Sequence, residues 1–248
     1  MFTSAKLKIE RAEHHIADLK DRFKAFIDSH PDTLTVTIDS DSTTIKPSQD
    51  LPVALSLIAA DAIHNLRTSL DHATWELRGL DGGKQDRWTK LPVADERVSY
   101  EGLCKGIETP LGDLPEFFKG LEIFKLGKGG MIWALHNLDV IDKHIILSVA
   151  SQRISQPSFT ITPERGGQIN VFGGTFDLGE GATMFKIGGP SDVKMYQNSN
   201  TSVDVVFGNV DGFEFKPVIP TLVHLRDAVN DVITQFEALV ASRQAIGA

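Results

Sequence analysis

The sequence predicts an α+β protein, in which an antiparallel four-helix bundle carries an inserted antiparallel β-rich unit and a small β-hairpin. Two observations predict this fold class. Four segments repeat apolar residues at every third or fourth position, which is typical of amphipathic helices. Between them lie short runs of alternating apolar and polar residues, separated by glycine and proline, which indicate β-strands. Four long helices with narrow apolar seams most simply pack as an antiparallel bundle.

The four helices are each marked by an apolar repeat and by a proline or glycine boundary. The repeats run from Ile9 to Phe26 before Pro31, from Ala59 to Leu77 after Pro52, from Met131 to Ile145 after Gly127–Gly130, and from Leu222 to Leu239 after Pro220. Shorter helical pieces are expected near Tyr100–Ile107 and Pro115–Phe124.

The β-like runs fall in two places. Residues 33–46 alternate around an Asp-Ser-Asp turn and predict a hairpin. Residues 158–215 contain the runs FTI, INVF, TFDL, MFKI, SVDVVF and FEF, which predict one antiparallel sheet of about five or six strands, with the hairpin as a candidate for its edge. We therefore expect a helical domain of residues 1–148 and 217–248 that includes the hairpin, and a β-rich insertion of residues 149–216.

Bulk composition favours a soluble globular protein. The chain has 248 residues, of which 41% are hydrophobic and 23% are charged. A net charge of −8 argues against broad, non-specific coating of nucleic acid, which relies on lysine and arginine. The single cysteine, Cys104, fits a reducing compartment. The N-terminal residues do not resemble a signal peptide, and no apolar run is long enough to span a bilayer, so we expect a cytoplasmic protein without a membrane association.

The most informative feature is a nine-residue string that occurs almost twice. Residues 64–72 read HNLRTSLDH, and residues 136–144 read HNLDVIDKH. Both strings lie inside predicted amphipathic helices, where closely spaced polar residues cost stability unless they are paired or used. This density indicates where a functional site lies.

A helical wheel at about 100° per residue sorts these polar residues into flanks of the two apolar seams. On the second helix, one flank holds His64, Arg67 and Asp71, and the other holds Asn65, Ser69 and His72. On the third helix, one flank holds Asn137 and His144, and the other holds His136, Asp139 and Lys143. If the two helices pack antiparallel, the flanks meet across a groove and form a cluster of imidazoles, carboxylates and one guanidinium.

Arg67 and His72 form an R-x4-H element. An arginine can hold a phosphate, and a nearby histidine can act as an acid or a base near neutral pH. This element resembles the R-x4–6-H motif of the HEPN superfamily, helical-bundle proteins that include metal-independent ribonucleases of bacterial defence systems. The resemblance implies that Arg67 holds the scissile phosphate. It also implies that His72 assists attack by the 2′-hydroxyl or protonation of the leaving group, at a composite site in a homodimer.

A second resemblance covers roughly residues 55–147. The paired strings AIHNLRTSLDH and LHNLDVIDKH, with the intervening LPVADE, are similar to a group of uncharacterised bacterial proteins. That group implies no established activity.

The sequence leads to one leading hypothesis and two alternatives. The leading hypothesis is a metal-independent ribonuclease or nucleotide phosphodiesterase, a defence or stress effector without a cofactor. Its predicted catalytic residues are Arg67, His72 and His144, and its predicted binding residues are His64, Asn65, Asp71, His136, Asn137, Asp139, Asp142 and Lys143.

The first alternative is a non-catalytic interaction protein, with the β-rich unit as its recognition surface. The polar cluster is then structural, with Arg67 paired to Asp139 or Asp142. The second alternative is a metal-dependent hydrolase, although the chain has no HExxH pair. Its possible ligands are His64, Asp71, His72, His136, Asp142 and His144.

Overall fold

The computed structural model describes residues 1–30, 34–107, 110–142, 151–155, 158–178, 183–195, 202–207, 212–214 and 216–246. Within these residues the helices are α1 (Thr3–Ser29), α2 (Val53–Leu80), α3 (Arg97–Lys105), α4 (Leu114–Leu121), α5 (Gly130–Asp142) and α6 (Val218–Ile246). The strands are β1 (Leu34–Ile38), β2 (Ser42–Pro47), β3 (Ser151–Ser155), β4 (Ser158–Pro163), β5 (Ile169–Phe172), β6 (Thr175–Leu178), β7 (Phe185–Gly188), β8 (Ser191–Met195) and β9 (Ser202–Val206). The mixed α+β class is confirmed.

The four predicted long helices and both short ones form at the predicted places within the described residues. The last position of the third repeat, Ile145, lies outside the described residues. All six members of the α2 repeat, from Ala59 to Leu77, are buried, as the apolar periodicity requires. Helix α6 begins at Val218, so Pro220 lies in its first turn, where a missing backbone N–H removes no intrahelical bond. That the four long helices pack as one antiparallel bundle stays a prediction.

Contacts between Cα atoms divide the chain into two units. The first unit comprises residues 1–17, 58–146 and 220–248, and the second comprises residues 18–57 and 147–219. The hairpin of β1 and β2 falls within the second unit. The domain boundaries at residues 148 and 216 stay a prediction. None of the helices in the described part of the chain is long and apolar enough to cross a membrane.

In the first unit, aromatic rings fill the core around α6. Phe236 packs edge-on against Phe2, Phe117 and Phe118, with ring centroids 6.0, 5.5 and 5.8 Å apart. Burying one such side chain contributes roughly 1.5–3 kcal/mol, and edge-to-face geometry adds to that. The segment before α1 and helix α4 are thereby fixed against α6.

In the second unit, the strands form three separate sheets rather than one. Each sheet has three antiparallel strands, in the orders β1-β2-β7, β6-β3-β9 and β5-β4-β8. The predicted hairpin is confirmed, and it joins the other strands where β2 pairs with β7. The prediction of a single sheet is wrong, because the strands pair in three separate groups. One or two buried residues from each sheet pack into a shared core. That core contains Leu34, Ile45, Ile154, Phe159 and Ile161.

Individual strand predictions also need correction. The FEF run was predicted as a strand, but Gly212–Glu214 form a turn, followed by residue 215, which lies outside the described residues. Strands β3 and β8 were not predicted, because SQRIS and SDVKM carry too few apolar residues to show an alternating pattern. Backbone pairing with β6, β9 and β4 defines them instead.

Candidate functional site

The two echo strings lie on α2 and α5 of the first unit, and two pairs of side chains join them. His64 Nδ1 lies 2.8 Å from Asp139 Oδ1, and Arg67 Nε donates to His136 Nδ1 at 3.1 Å. Moving three residues forward along α2 moves the partner three residues backward along α5. The two helices therefore run antiparallel at this point, and the flanks meet as the helical wheel predicts.

Arg67 is buried, with 4% of its surface exposed. Its Nη1 lies 2.6 Å from Asp71 Oδ1, one turn further along α2. The same carboxylate oxygen accepts the backbone N–H of Leu91 at 3.0 Å. Because a buried guanidinium must be paired, this arrangement fixes α2, α5 and the segment around Leu91 together.

The ion-pair partner of Arg67 was predicted incorrectly. Its partner is Asp71, a residue of its own helix, whereas Asp139 pairs with His64. An i, i+4 carboxylate is within reach without any tertiary contact, so it competes well with a carboxylate on another helix.

In their neutral forms, the two imidazoles at this interface take opposite tautomers. Arginine only donates, so His136 Nδ1 accepts from Arg67, and the neutral ring carries its proton on Nε2. The Asp139 carboxylate only accepts when ionised, so His64 donates from Nδ1. Nε2 of His64 is then the acceptor, and the hydroxyl of Thr68 lies 3.4 Å from it.

His72 and Asn65 lie on the other flank of α2 and contact α1. The Ser4 hydroxyl is hydrogen bonded to Nδ1 of His72, and Lys8 Nζ lies 3.4 Å from the side-chain oxygen of Asn65. The imidazole in contact with Arg67 is therefore His136, not the His72 of the R-x4-H element. A catalytic role for His72 stays a prediction.

The remaining predicted site residues are placed only in part. Asn137 and Asp142 are half-buried on α5. Lys143 and His144 lie outside the described residues, so the predicted catalytic role of His144 stays a prediction. Among the residues that the structure describes, no group of three or more histidine, cysteine, aspartate or glutamate side chains could hold a metal ion.

Arg67 and His136 line a cavity of about 490 Å³, which we call the basic cavity. Arg78 from α2 and Lys90 from the following loop also line it, and no described lining residue carries a carboxylate. Nε of Arg78 is buried, and it has no hydrogen-bond partner among the described residues. Three cationic side chains thus line this cavity, in a protein whose net charge is −8.

Trp88 lies at the wall of the basic cavity, with 69% of its surface exposed. The guanidinium of Arg87 lies over its ring, 4.8 Å from the centroid. Sequence reasoning missed Arg78, Lys90 and Trp88. Arg78 could have been found, because it follows Arg67 by eleven residues, which is close to three full helical turns. The loop residues show no pattern that marks them.

A second cavity, of about 730 Å³, lies on the His72 side of α2, and we call it the larger cavity. Ser4, Trp75, Glu76 and Asp71 are among the residues that line it. Asp71 lines the larger cavity while its carboxylate holds Arg67, which lines the basic cavity.

Comparisons with protein-family models, with curated proteins and with solved structures find no match to this chain. The function is therefore argued from the site.

Proposed function

We propose that this chain binds and cleaves an RNA or nucleotide phosphodiester without a metal ion, with the basic cavity as its phosphate site. The observation that supports this proposal best is that three cationic side chains, Arg67, Arg78 and Lys90, line one cavity whose described lining contains no carboxylate. Of the three, Arg67 is already paired with Asp71, which lies outside that lining. Charge-assisted hydrogen bonds to phosphate are among the strongest that a protein makes.

The state of Arg78 supports an anionic ligand. Arg78 lines the cavity, and its Nε has no hydrogen-bond partner among the described residues, so its guanidinium can pair with a phosphate bound there. Lys90 is exposed on the loop and adds a second positive charge. Trp88 offers a ring on which a base can stack, an interaction worth roughly 1–3 kcal/mol per base.

The arrangement of Arg67 and His136 supports chemistry as well as binding. The Arg67 bond leaves the neutral His136 with its proton on Nε2, and the ring lines the same cavity. An N–H in this position can donate to a phosphate oxygen on which charge develops during cleavage. Arg67 keeps the role that the HEPN resemblance implies. The homodimer, the cytoplasmic location and the role of a defence or stress effector also belong to this proposal.

The test is a binding and cleavage assay with a short single-stranded RNA in the presence of EDTA. Arg78→Gln and Lys90→Gln should each weaken RNA binding by about tenfold, which corresponds to about 1.4 kcal/mol, and should slow cleavage. Lys84→Gln is the matched control, because Lys84 lies in the same loop and has an 81% exposed side chain, but does not line the cavity. A folded wild type that neither binds nor cleaves RNA would overturn the proposal.

A second candidate function is non-catalytic recognition by the β-rich unit. Strand β5 lies at the edge of its sheet. Its residues Ile169 and Phe172 have 47% and 73% of their surface exposed. An exposed apolar edge strand is a common place for another chain to add. This candidate predicts that the folded wild type does not cleave RNA and that the Arg67 contacts contribute only to stability.

A further inference from the structure

A second imidazole lies one helical turn from Arg67, outside the basic cavity, and it is held by a buried carboxylate. The side chain of His64 is 53% exposed, whereas that of Asp139 is 3% exposed. Their closest atoms, His64 Nδ1 and Asp139 Oδ1, lie 2.8 Å apart. Asp139 therefore holds one edge of a ring that is half exposed to solvent.

This geometry prepares His64 Nε2 to accept a proton. The Asp139 carboxylate selects the tautomer with the proton on Nδ1, fixes the plane of the ring, and stabilises the imidazolium that forms after proton transfer. The Thr68 hydroxyl, at 3.4 Å from Nε2, is at the long end of hydrogen-bonding distance. A water molecule or a substrate hydroxyl can replace that contact at little cost.

His64 is also correctly spaced from the proposed phosphate site. His64 and Arg67 are three residues apart on α2, so their side chains are neighbours, with Cβ atoms about 5–6 Å apart. Both are fixed by the same facing helix, through Asp139 and His136 respectively. In RNA, the 2′-hydroxyl is adjacent to the phosphate that it attacks, so one ribonucleotide can reach both side chains.

We infer that His64 is the general base of the phosphodiester cleavage proposed above, and that Asp139 is its positioning residue. The inference rests on that proposed function. His64 Nε2 takes the proton of the 2′-hydroxyl, the bond between O2′ and phosphorus forms, and the bond between phosphorus and O5′ breaks. Water protonates the leaving O5′, and the resulting hydroxide takes the proton back from His64. The products are a 2′,3′-cyclic phosphate and a 5′-hydroxyl, and no water is consumed.

The test compares three variants of His64 and Asp139 with wild type, using a short single-stranded RNA in EDTA. His64→Ala should lower kcat by about 10²–10⁴-fold, the usual range for loss of a general base, with little change in RNA affinity. Added imidazole should restore part of the activity, because the side chain it replaces is half exposed. His224→Ala, which removes an exposed histidine on α6, is the matched control and should leave kcat unchanged.

Two further variants separate catalysis from structure. His64→Gln keeps an N–H that can bond Asp139 but has no basic nitrogen, so it should keep the melting temperature of wild type and lose activity. Asp139→Asn should lower kcat without weakening RNA binding. Nitrogen NMR of the His64 ring should show that this variant has lost its preference for the proton on Nδ1.

The outcomes distinguish the inference from the proposed function. Cleavage by wild type that persists in a folded His64→Gln variant would overturn the inference and leave the proposed function standing. Wild-type products that lack a 2′,3′-cyclic phosphate would also overturn it, because the 2′-hydroxyl would then not be the nucleophile. A folded wild type that binds no RNA and cleaves none would overturn the proposed function, and the inference with it.

Discussion

Arg67 donates a hydrogen bond from Nε to Nδ1 of His136, at 3.1 Å, across the interface of α2 and α5. Because a guanidinium does not lose its proton, this bond requires His136 to be neutral at Nδ1. Protonation of that atom would replace the bond with two adjacent positive charges. The bond holds α2 and α5 in one register, and both of its residues line the basic cavity. Arg67 is therefore important for stability and, under the proposed function, for activity.

We predict that Arg67→Met lowers the free energy of unfolding by about 2–4 kcal/mol, near the cost of breaking a buried ion pair. The variant leaves Asp71 and His136 without their shared donor, and Asp71 is one-third exposed, which limits the loss. Urea denaturation at pH 7 measures it. The matched control is Arg226→Met, whose ion pairs with Glu13 and Asp227 are more exposed and should contribute no more than about 1 kcal/mol. Equal losses in the two variants would contradict the structural role of Arg67.

The ion pair of Asp113 with Arg243 predicts a loss of stability in acid. The Arg243 guanidinium bonds the Asp113 carboxylate and holds the pKa of that carboxyl below its usual value of 3.8. A carboxyl with a lowered folded pKa stabilises the protein above the unfolded pKa, and that contribution disappears as the pH falls through the folded pKa. Asp113→Asn should therefore cost up to about 1 kcal/mol at pH 7, since the side chain is half exposed.

The difference in unfolding free energy between wild type and Asp113→Asn should shrink below about pH 4, as the wild-type carboxyl becomes protonated. Urea denaturation at neutral and at strongly acidic pH checks this trend. A difference that grows as the pH falls would contradict it. Arg243→Met should cost more at pH 7, because Arg243 also lies 3.0 Å from the fully buried carboxylate of Asp81.

The thiol of Cys104 should be inert in the folded protein. Its side chain is buried on α3, and burial raises the pKa of the thiol, so the reactive thiolate is suppressed. We expect DTNB to label the native protein only as fast as it unfolds, and to label it at once in guanidinium chloride. Rapid stoichiometric labelling under native conditions would contradict the burial of this thiol.

Replacing a glycine before α5 and replacing a glycine inside α4 with alanine should have opposite effects on stability. A Cβ added at Gly127 would lie 2.1 Å from the backbone oxygen of Glu122, so Gly127→Ala should cost about 1–3 kcal/mol as the chain shifts. At Gly120 in α4 a Cβ would meet nothing within 4 Å, so Gly120→Ala should stabilise the helix by about 0.5–1 kcal/mol. Melting temperatures of the two variants should move in opposite directions.

The helices of this protein could be predicted because an apolar repeat is a local property. The six predicted α2 positions are buried, and the prolines and glycines mark the helix ends to within a few residues. Strands such as β8 could not be predicted in this way. SDVKM has one strongly apolar position apart from its terminal methionine, and β8 exists because its backbone pairs with β4.

The same division applies to the candidate site. Helical periodicity alone places His64, Arg67 and Asp71 on one flank of α2, and His136 and Asp139 on one flank of α5. Only the tertiary structure decided that Arg67 bonds His136, that His72 turns to α1, and that Arg78 and Lys90 join Arg67 around one cavity. The flank of a helix on which a residue lies follows from the rotation of about 100° per residue, which is a property of one segment. The partner of a buried charge depends on which groups lose water when distant segments pack, and a single segment does not contain that information.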